Sequence, residues 1–182
     1  MKLREATAED GAALAAIYGH HVLTGLGTFE EVPPGAEEMS SRRAAVQARG
    51  LPYLVALGEG DEILGFAYAG PFRLRAAYRY TAEDSVYVTP AHVGRGVGAA
   101  LMRGIIARCE ALGLRQLVAI IGDSGNAGSI GLHASLGYRM MGTMPGLGFK
   151  QDRWVDIVWM QKSLNGGASA PPAAPGLDLA GV

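Results

Sequence analysis

The residues Ser85-Val86-Tyr87-Val88-Thr89-Pro90-Ala91-His92-Val93-Gly94-Arg95-Gly96-Val97-Gly98-Ala99-Ala100-Leu101-Met102 constrain this chain more than any other stretch. β-Branched and aromatic residues open it in the pattern of a strand, which Pro90 ends. Gly94, Gly96 and Gly98 follow at every second position. Leu101, Ile105, Cys109 and Leu112 then recur at spacings of four, four and three, as on one face of a helix. Gly113 stands where such a helix would end in left-handed backbone. Strand, glycine loop and helix are predicted in that order.

Residues without a Cβ let successive N–H groups converge on one point, where the helix dipole adds partial positive charge. The natural occupant is an anion such as a phosphate or pyrophosphate, and Arg95 would add a full charge. A tight turn holding nothing is the alternative. Gly94-x-Gly96-x-x-Ala99 formally fits the dinucleotide fingerprint, with Asp123 roughly where its ribose-binding acid would stand. That fingerprint follows its strand directly, however, and residues 89–93 intervene here. The Gly-Lys-Ser/Thr of a P-loop is absent.

At 182 residues, 49% hydrophobic and 18% charged, the chain suits one domain with a sizeable core. A formal net charge of −1 argues against nucleic acid as the main partner. The single cysteine, Cys109, excludes an intramolecular disulfide and lies on the apolar stripe, as a core thiol would. Met1-Lys2-Leu3-Arg4-Glu5 has no apolar secretion-signal core, and no apolar run is long enough to span a membrane. A soluble cytoplasmic protein with no membrane partner is expected. His20 and His21 have no Cys or acidic ligand at metal spacing and His92 stands alone, so no metal is expected.

In chain order, a short strand at residues 3–6 is followed by Thr7-Ala8-Glu9-Asp10, which reads as a capping box. Leu14, Ile17, Tyr18, His21 and Val22 recur at helical spacing until Gly25 and Gly27 break the helix. A second, more polar helix opens after Pro33-Pro34-Gly35 and closes at Gly50. Residues 53–57 and 63–70 read as a hairpin turning at Gly58-Glu59-Gly60-Asp61. After the central helix, residues 116–121 form an apolar run suited to a buried strand. A short helix at residues 127–136 ends at Gly137. Two strands close the fold, near residues 138–143 and 154–162, with Pro145-Gly146-Leu147-Gly148 connecting them. Residues 1–164 form the domain. Residues 165–182, almost entirely Gly, Ala, Pro and Ser, read as a disordered tail.

The loop, as Gly96-Val97-Gly98 after a Val-Tyr-Val strand, resembles the Gln/Arg-x-x-Gly-x-Gly/Ala pyrophosphate loop of the GNAT superfamily of N-acetyltransferases. Val93 departs from the usual Gln or Arg. The order β-α-α-β-β-β-α-β-α-β-β is also that of the GNAT fold. Phe66-Ala67-Tyr68-Ala69-Gly70-Pro71-Phe72, Arg75-x-x-Tyr78 and Glu83-Asp84-Ser85-Val86-Tyr87-Val88 resemble one branch, the phosphinothricin and methionine sulfone or sulfoximine N-acetyltransferases. So do Ile120-Ile121-Gly122-Asp123-Ser124-x-Asn126, Leu132-His133-x-x-Leu136-Gly137-Tyr138 and Gly148-Phe149-Lys150-x-x-x-Trp154-x-Asp156. The resemblance covers residues 1–164. It implies an α/β (α+β) GNAT fold: a single mixed, largely antiparallel seven-stranded sheet with about four helices, splayed in the middle by a bulge to hold CoA. It also implies a homodimer, a small-molecule amine substrate, and acetyl-CoA as co-substrate.

Acyl transfer from a thioester needs a deprotonated amine, a polarised carbonyl, a protonated thiolate and two juxtaposed substrates. The resemblance implies that backbone groups of Val86, Tyr87 and Val88 hold the acetyl and pantetheine arm. Gly94, Arg95, Gly96, Gly98 and Ala99 would bind the pyrophosphate, with Asn126 and Ser129 along the arm; Asn126 as a simple helix cap is the alternative. Glu83 is the candidate general base, against a plain loop carboxylate. Asp84 would point the other way on an alternating strand, and Glu30 is an outside candidate. His133 occupies the family's Tyr position, as base toward the amine or acid toward the thiolate, or as a structural residue. Arg73 and Arg75 offer planar guanidinium groups for a substrate carboxylate, with Phe29, Tyr78 and Tyr87 lining the side-chain pocket. The reading is α-amino acetylation of a small amino-acid analogue. A CoA-binding sensor without catalysis, an acetyltransferase on another small amine, and a Rossmann oxidoreductase are the alternatives.

Overall fold

The computed structural model describes residues 1–179. Its strands are β1 (Lys2–Glu5), β2 (Tyr53–Leu57), β3 (Ile63–Pro71), β4 (Thr81–Val88), β5 (Gln116–Gly122), β6 (Arg139–Lys150) and β7 (Arg153–Ser163). The helices are α1 (Gly11–Thr24), α2 (Ala36–Ala48), α3 (Val97–Ala111) and α4 (Ala127–Ser135). The strands form one sheet in the order β1-β2-β3-β4-β5-β7-β6. Every pairing is antiparallel except β4 with β5, the mixed seven-stranded architecture expected.

Alternation sorts each strand between two apolar layers. Leu14, Ile17, Tyr18 and Val22 of α1 pack with Met39 of α2 on Tyr53, Val55 and Phe66. On the opposite face Leu101, Met102, Ile105 and Cys109 of α3 pack on Leu54, Ala67 and Leu117. Leu101 and Ile105 are fully buried, and each stabilises the fold by about 1.5–3 kcal/mol of apolar transfer. Cys109 is equally buried, as expected of a core thiol; burial and then the Asp84 charge push its pKa up to about 12.

The middle of the sheet forks. β4 pairs with β5 only from Thr81↔Gln116 to Asp84↔Ala119. Beyond that rung β4 stays with β3 as far as Val88, while β5 stays with β7 as far as Gly122. The β3–β4 register runs without a shift from Gly65↔Val88 to Pro71↔Ala82, so the implied bulge is not seen on that side of β4.

Two boundaries differ from the expectations. β6 runs through Pro145-Gly146-Leu147-Gly148, taking up those residues in a register shift between Met144 and Gly148, where a proline without a donor is tolerated. The turn lies instead at Gln151 and Asp152, with φ of 52° and 56°. The C-terminal residues expected to be disordered pack on the body as far as they are described. Leu177 is 8% exposed and its N–H donates to the Arg79 carbonyl at 2.8 Å, while Arg115 Nε donates to the Gly167 carbonyl at 2.7 Å. Composition understated Leu177 and Leu179, two apolar anchors that join the core. Residues 180–182 of that expectation lie outside the described residues. Among the described residues no helix is long and apolar enough to cross a membrane.

Candidate active site

The fork opens a cavity of about 710 Å³ between β4, β5, the glycine loop and α4. Past Asp84 the edge of β4 facing β5 has no ladder partner, so backbone groups of residues 85–88 face the opening. Val86, Tyr87 and Val88 line it, as do Gly94, Gly96, Gly98 and Ala99 across the gap. Gly94 and Gly96 adopt φ of 76° and 80°, backbone that an L side chain rarely takes, and Gly96 caps α3. The first-turn N–H groups of α3 therefore meet the cavity without intrahelical partners. Arg95 is exposed on the rim and is not among the lining residues.

Asn126 and Ser129 of the α4 entry line the same cavity. The Asn126 side chain accepts from the Ser129 N–H at 3.1 Å, so it caps the helix as its alternative reading held. His21, expected only to hold no metal, lines the cavity, and its Nε2 lies 2.9 Å from the Val88 carbonyl. Burial lowers the His21 pKa, so a neutral ring donates there. Its signal in sequence was a polar residue on the buried stripe of α1.

β4 sends alternate side chains to opposite faces, as alternation required. Glu83, Ser85 and Tyr87 face α1 and α2; Asp84 faces α3 and α4. Glu83 is half-buried beside the fork. Burial first, then the neighbouring Asp84 charge, raises its pKa above the ordinary glutamate range, against an opposing pull from Arg73. Tyr87 packs edge-on to Tyr18 at 4.9 Å and beside His21 at 5.4 Å.

On the other face His133 is 3% exposed and lies in the cavity wall. Its Nε2 is 3.0 Å from Asp84 Oδ1, and its Nδ1 is 2.8 Å from the Ser129 carbonyl. Tyr138 Oη donates to Asp84 Oδ2 at 2.7 Å. Burial pulls the His133 pKa down, but the Asp84 hydrogen bond and charge, with the Ser129 carbonyl, carry the net shift upward. Asp84, set aside on parity as a base, is thus the partner of His133. Sequence spacing could not show the meeting across 49 residues.

The remaining expected site residues are not among those lining the cavity. Glu30 is not a free base: its Oε1 accepts from Tyr18 Oη at 2.8 Å and from Arg42 at 2.7 Å. Burial opposes the charge, but Arg42 and Tyr18 hold the carboxyl below its usual range. Phe29 is 40% exposed on the same loop. Arg73 stacks over Phe72 at 4.9 Å, and Tyr78 meets that ring edge-on at 5.6 Å; Arg75 is exposed beside them. Lys150 of the Gly148-Phe149-Lys150 stretch is buried against the loop that carries Phe29. Among the described residues no group of three or more His, Cys, Asp or Glu could hold a metal ion.

Comparison with known proteins agrees with this geometry. The family model described as "Acetyltransferase (GNAT) family" matches residues 21–138. A phosphinothricin N-acetyltransferase of Alcaligenes faecalis is 52% identical over 164 residues, 90% of this chain and 83% of that protein. An L-methionine sulfoximine/L-methionine sulfone acetyltransferase of Pseudomonas paraeruginosa is 40% identical over 93% of this chain and 98% of its own length. The crystal structure of a GNAT superfamily phosphinothricin acetyltransferase from Sinorhizobium meliloti, in complex with AcCoA, superposes with a TM-score of 0.91. Its identity is 42%, over 94% of this chain and 92% of that one.

Proposed function

The chain belongs to the acetyltransferase (GNAT) family, and from that premise we propose that it moves the acetyl group of acetyl-CoA to the α-amine of a small amino-acid analogue. A phosphinothricin, methionine sulfoximine or methionine sulfone type of substrate is favoured, after the names of the relatives. The observation that carries the reading is the fork. It leaves β4 with a free backbone edge and sets the glycine loop and the α3 N-terminus opposite, with Glu83 on the last rung but one that β4 shares with β5.

In this reading the pyrophosphate lies against the N–H groups of residues 96–99, where the dipole of α3 favours negative charge. The pantetheine arm runs along residues 86–88, passing Asn126 and Ser129. The amine approaches from the α1 and α2 face. Its nitrogen attacks the thioester carbonyl, the C–S bond breaks, and an N–C bond forms. Glu83 takes the amine proton through a water, and burial, which raises its pKa above the ordinary glutamate range, makes it a stronger base. The sulfur leaves with the bond pair and then takes up a proton. Arg75, beside Arg73, receives the substrate carboxylate, while Phe29, Tyr78 and Tyr87 border its side chain.

The working unit is proposed as a homodimer. β6 is an edge strand, and Met140, Met141, Leu147, Phe149 and the facing Trp154 are 51–70% exposed along it.

Acetyl transfer measured over free amino acids and their phosphinate, sulfone and sulfoximine analogues tests the function. Turnover is expected only with small free amines. Acetyl-CoA that neither binds nor turns over would leave the fold without this activity.

A further inference from the structure

His133 stands where the family's proton-transferring residue would be looked for, yet neither ring nitrogen is free. Nδ1 lies 2.8 Å from a backbone carbonyl, which has only lone pairs to offer, so Nδ1 must carry hydrogen. Nε2 lies 3.0 Å from Asp84 Oδ1, while the other oxygen of that carboxylate already accepts from Tyr138. An imidazole is more basic than a carboxylate by roughly two to three pH units, so the shared proton belongs on the ring. One further carboxylate is coupled to this pair, since the Asp84 charge helps to raise the Glu83 pKa. Tyr138 and Cys109 are pushed up by burial and by Asp84 and stay neutral, while Glu83 points to the other face of β4.

The cluster also sits at a particular place. Asp84 is the last residue of β4 that pairs with β5, His133 belongs to α4, and Tyr138 leads into β6. The carboxylate therefore ties three elements together at the apex of the fork, where backbone rungs stop.

We infer that His133 is a doubly protonated positioning residue, which with Asp84 pins α4 to β4 and fixes the width of the cavity, and which passes no proton during the reaction. The inference rests on the cavity being the acetyl-CoA slot. Removing either charge leaves the other buried and unpaired, and α4, with Asn126 and Ser129, is then free to shift.

Imidazole 1H–15N correlation spectra of the full chain test the protonation without any assay. The chain has four histidines, so the His133 signals are identified by their loss in His133→Gln. Both nitrogens are expected protonated at pH 7, because the Asp84 carboxylate and the Ser129 carbonyl each take an N–H from the ring. A bare Nε2 or Nδ1 at pH 7 overturns the inference, including the case where Asp84 holds the proton. Kinetics test the positioning. His133→Gln keeps an N–H for Asp84 and is expected to raise the acetyl-CoA KM about tenfold, keep kcat within about tenfold, and leave the acid limb of the pH profile in place. A kcat loss of about 10²–10⁴ with disappearance of a limb would return His133 to proton transfer. If acetyl-CoA is not a substrate at all, the spectra still decide the protonation state.

Discussion

Lys150 Nζ donates to the Thr28 carbonyl at 2.8 Å, joining the end of β6 to the α1–α2 loop across 122 residues. The same ammonium donates to the Gly25 carbonyl at 2.9 Å and is 4% exposed. Burial lowers its pKa, although the charges of Glu31 and Glu30 resist. The loop is seated at a second point as well: a Cβ on Gly122 would lie 2.1 Å from the Leu26 carbonyl, so only glycine allows that approach. Leu26 and Gly27 of this loop line the cavity, and Phe29 and Glu30 follow directly.

Lys150→Met keeps the stem and removes the donors, leaving two carbonyls unsatisfied at about 1–3 kcal/mol each. The expected outcome is a lowered melting temperature and an amine KM raised about tenfold, with a smaller change in the acetyl-CoA KM. Unaltered kinetics in a folded variant would show that the loop holds its place without the ammonium.

Glu83 makes a prediction about pH. Log kcat/KM is expected to fall with slope one as the amine protonates below about pH 8, and with slope two once Glu83 protonates as well. The second break should lie above the ordinary glutamate range, because burial and Asp84 favour the neutral acid. Arg73 opposes them, so Arg73→Gln should move that break to higher pH, whereas Glu83→Gln should abolish it and reduce kcat on the order of 10²–10⁴. A break that stays fixed in Arg73→Gln belongs to another group.

The glycine loop gives a third. Nothing lies within 4 Å of a Cβ built on Gly96, so the obstacle to substitution there is its φ of 80° rather than space. Gly96→Val forces a β-branched residue into left-handed backbone, at about 1–3 kcal/mol of strain, or turns the N–H groups away. The acetyl-CoA KM should rise at least tenfold while kcat at saturation holds. Titration of acetyl-CoA binding by calorimetry checks it, and unchanged affinity would remove the loop from the phosphate site.

What was legible in the sequence followed from period and from glycine. Tyr53 to Leu57 and Gln116 to Ile121 showed as short apolar runs and Leu101, Ile105 and Cys109 as a helical stripe, and the structure has them as β2, β5 and α3. Parity on β4 correctly separated Glu83 from Asp84. What each of them would face was not legible, because it depends on contacts across the fold: Asp84 with His133, Lys150 with Thr28, His21 with Val88. A glycine and proline cluster was likewise read as a connection at residues 145–148, where pairing with β7 overrides local turn preference. The contact of Leu177 was not legible for a related reason: it needs a surface to bury against, and composition carries no surface.

The last prediction concerns the substrate carboxylate. Arg73 is partly committed, stacked over Phe72 and within the field of Glu83, while Arg75 caps the short turn at Ala76–Tyr78 and presents an exposed side chain. Of the two, Arg75 is the one able to close on an incoming carboxylate without giving up a contact. A guanidinium makes two parallel hydrogen bonds to a carboxylate, and an ammonium makes one at a time. Arg75→Lys keeps the charge, so any loss measures the second bond and the planarity rather than attraction at a distance. The amine KM should rise about tenfold and the acetyl-CoA KM should hold, a loss near 1.4 kcal/mol. Methionine sulfone amide, which has no carboxylate, should be a poor substrate for the wild type and should lose nothing further in Arg75→Lys. If the amide is acetylated as well as the free acid, the carboxylate is not read at all, and an amine without one becomes the substrate to seek.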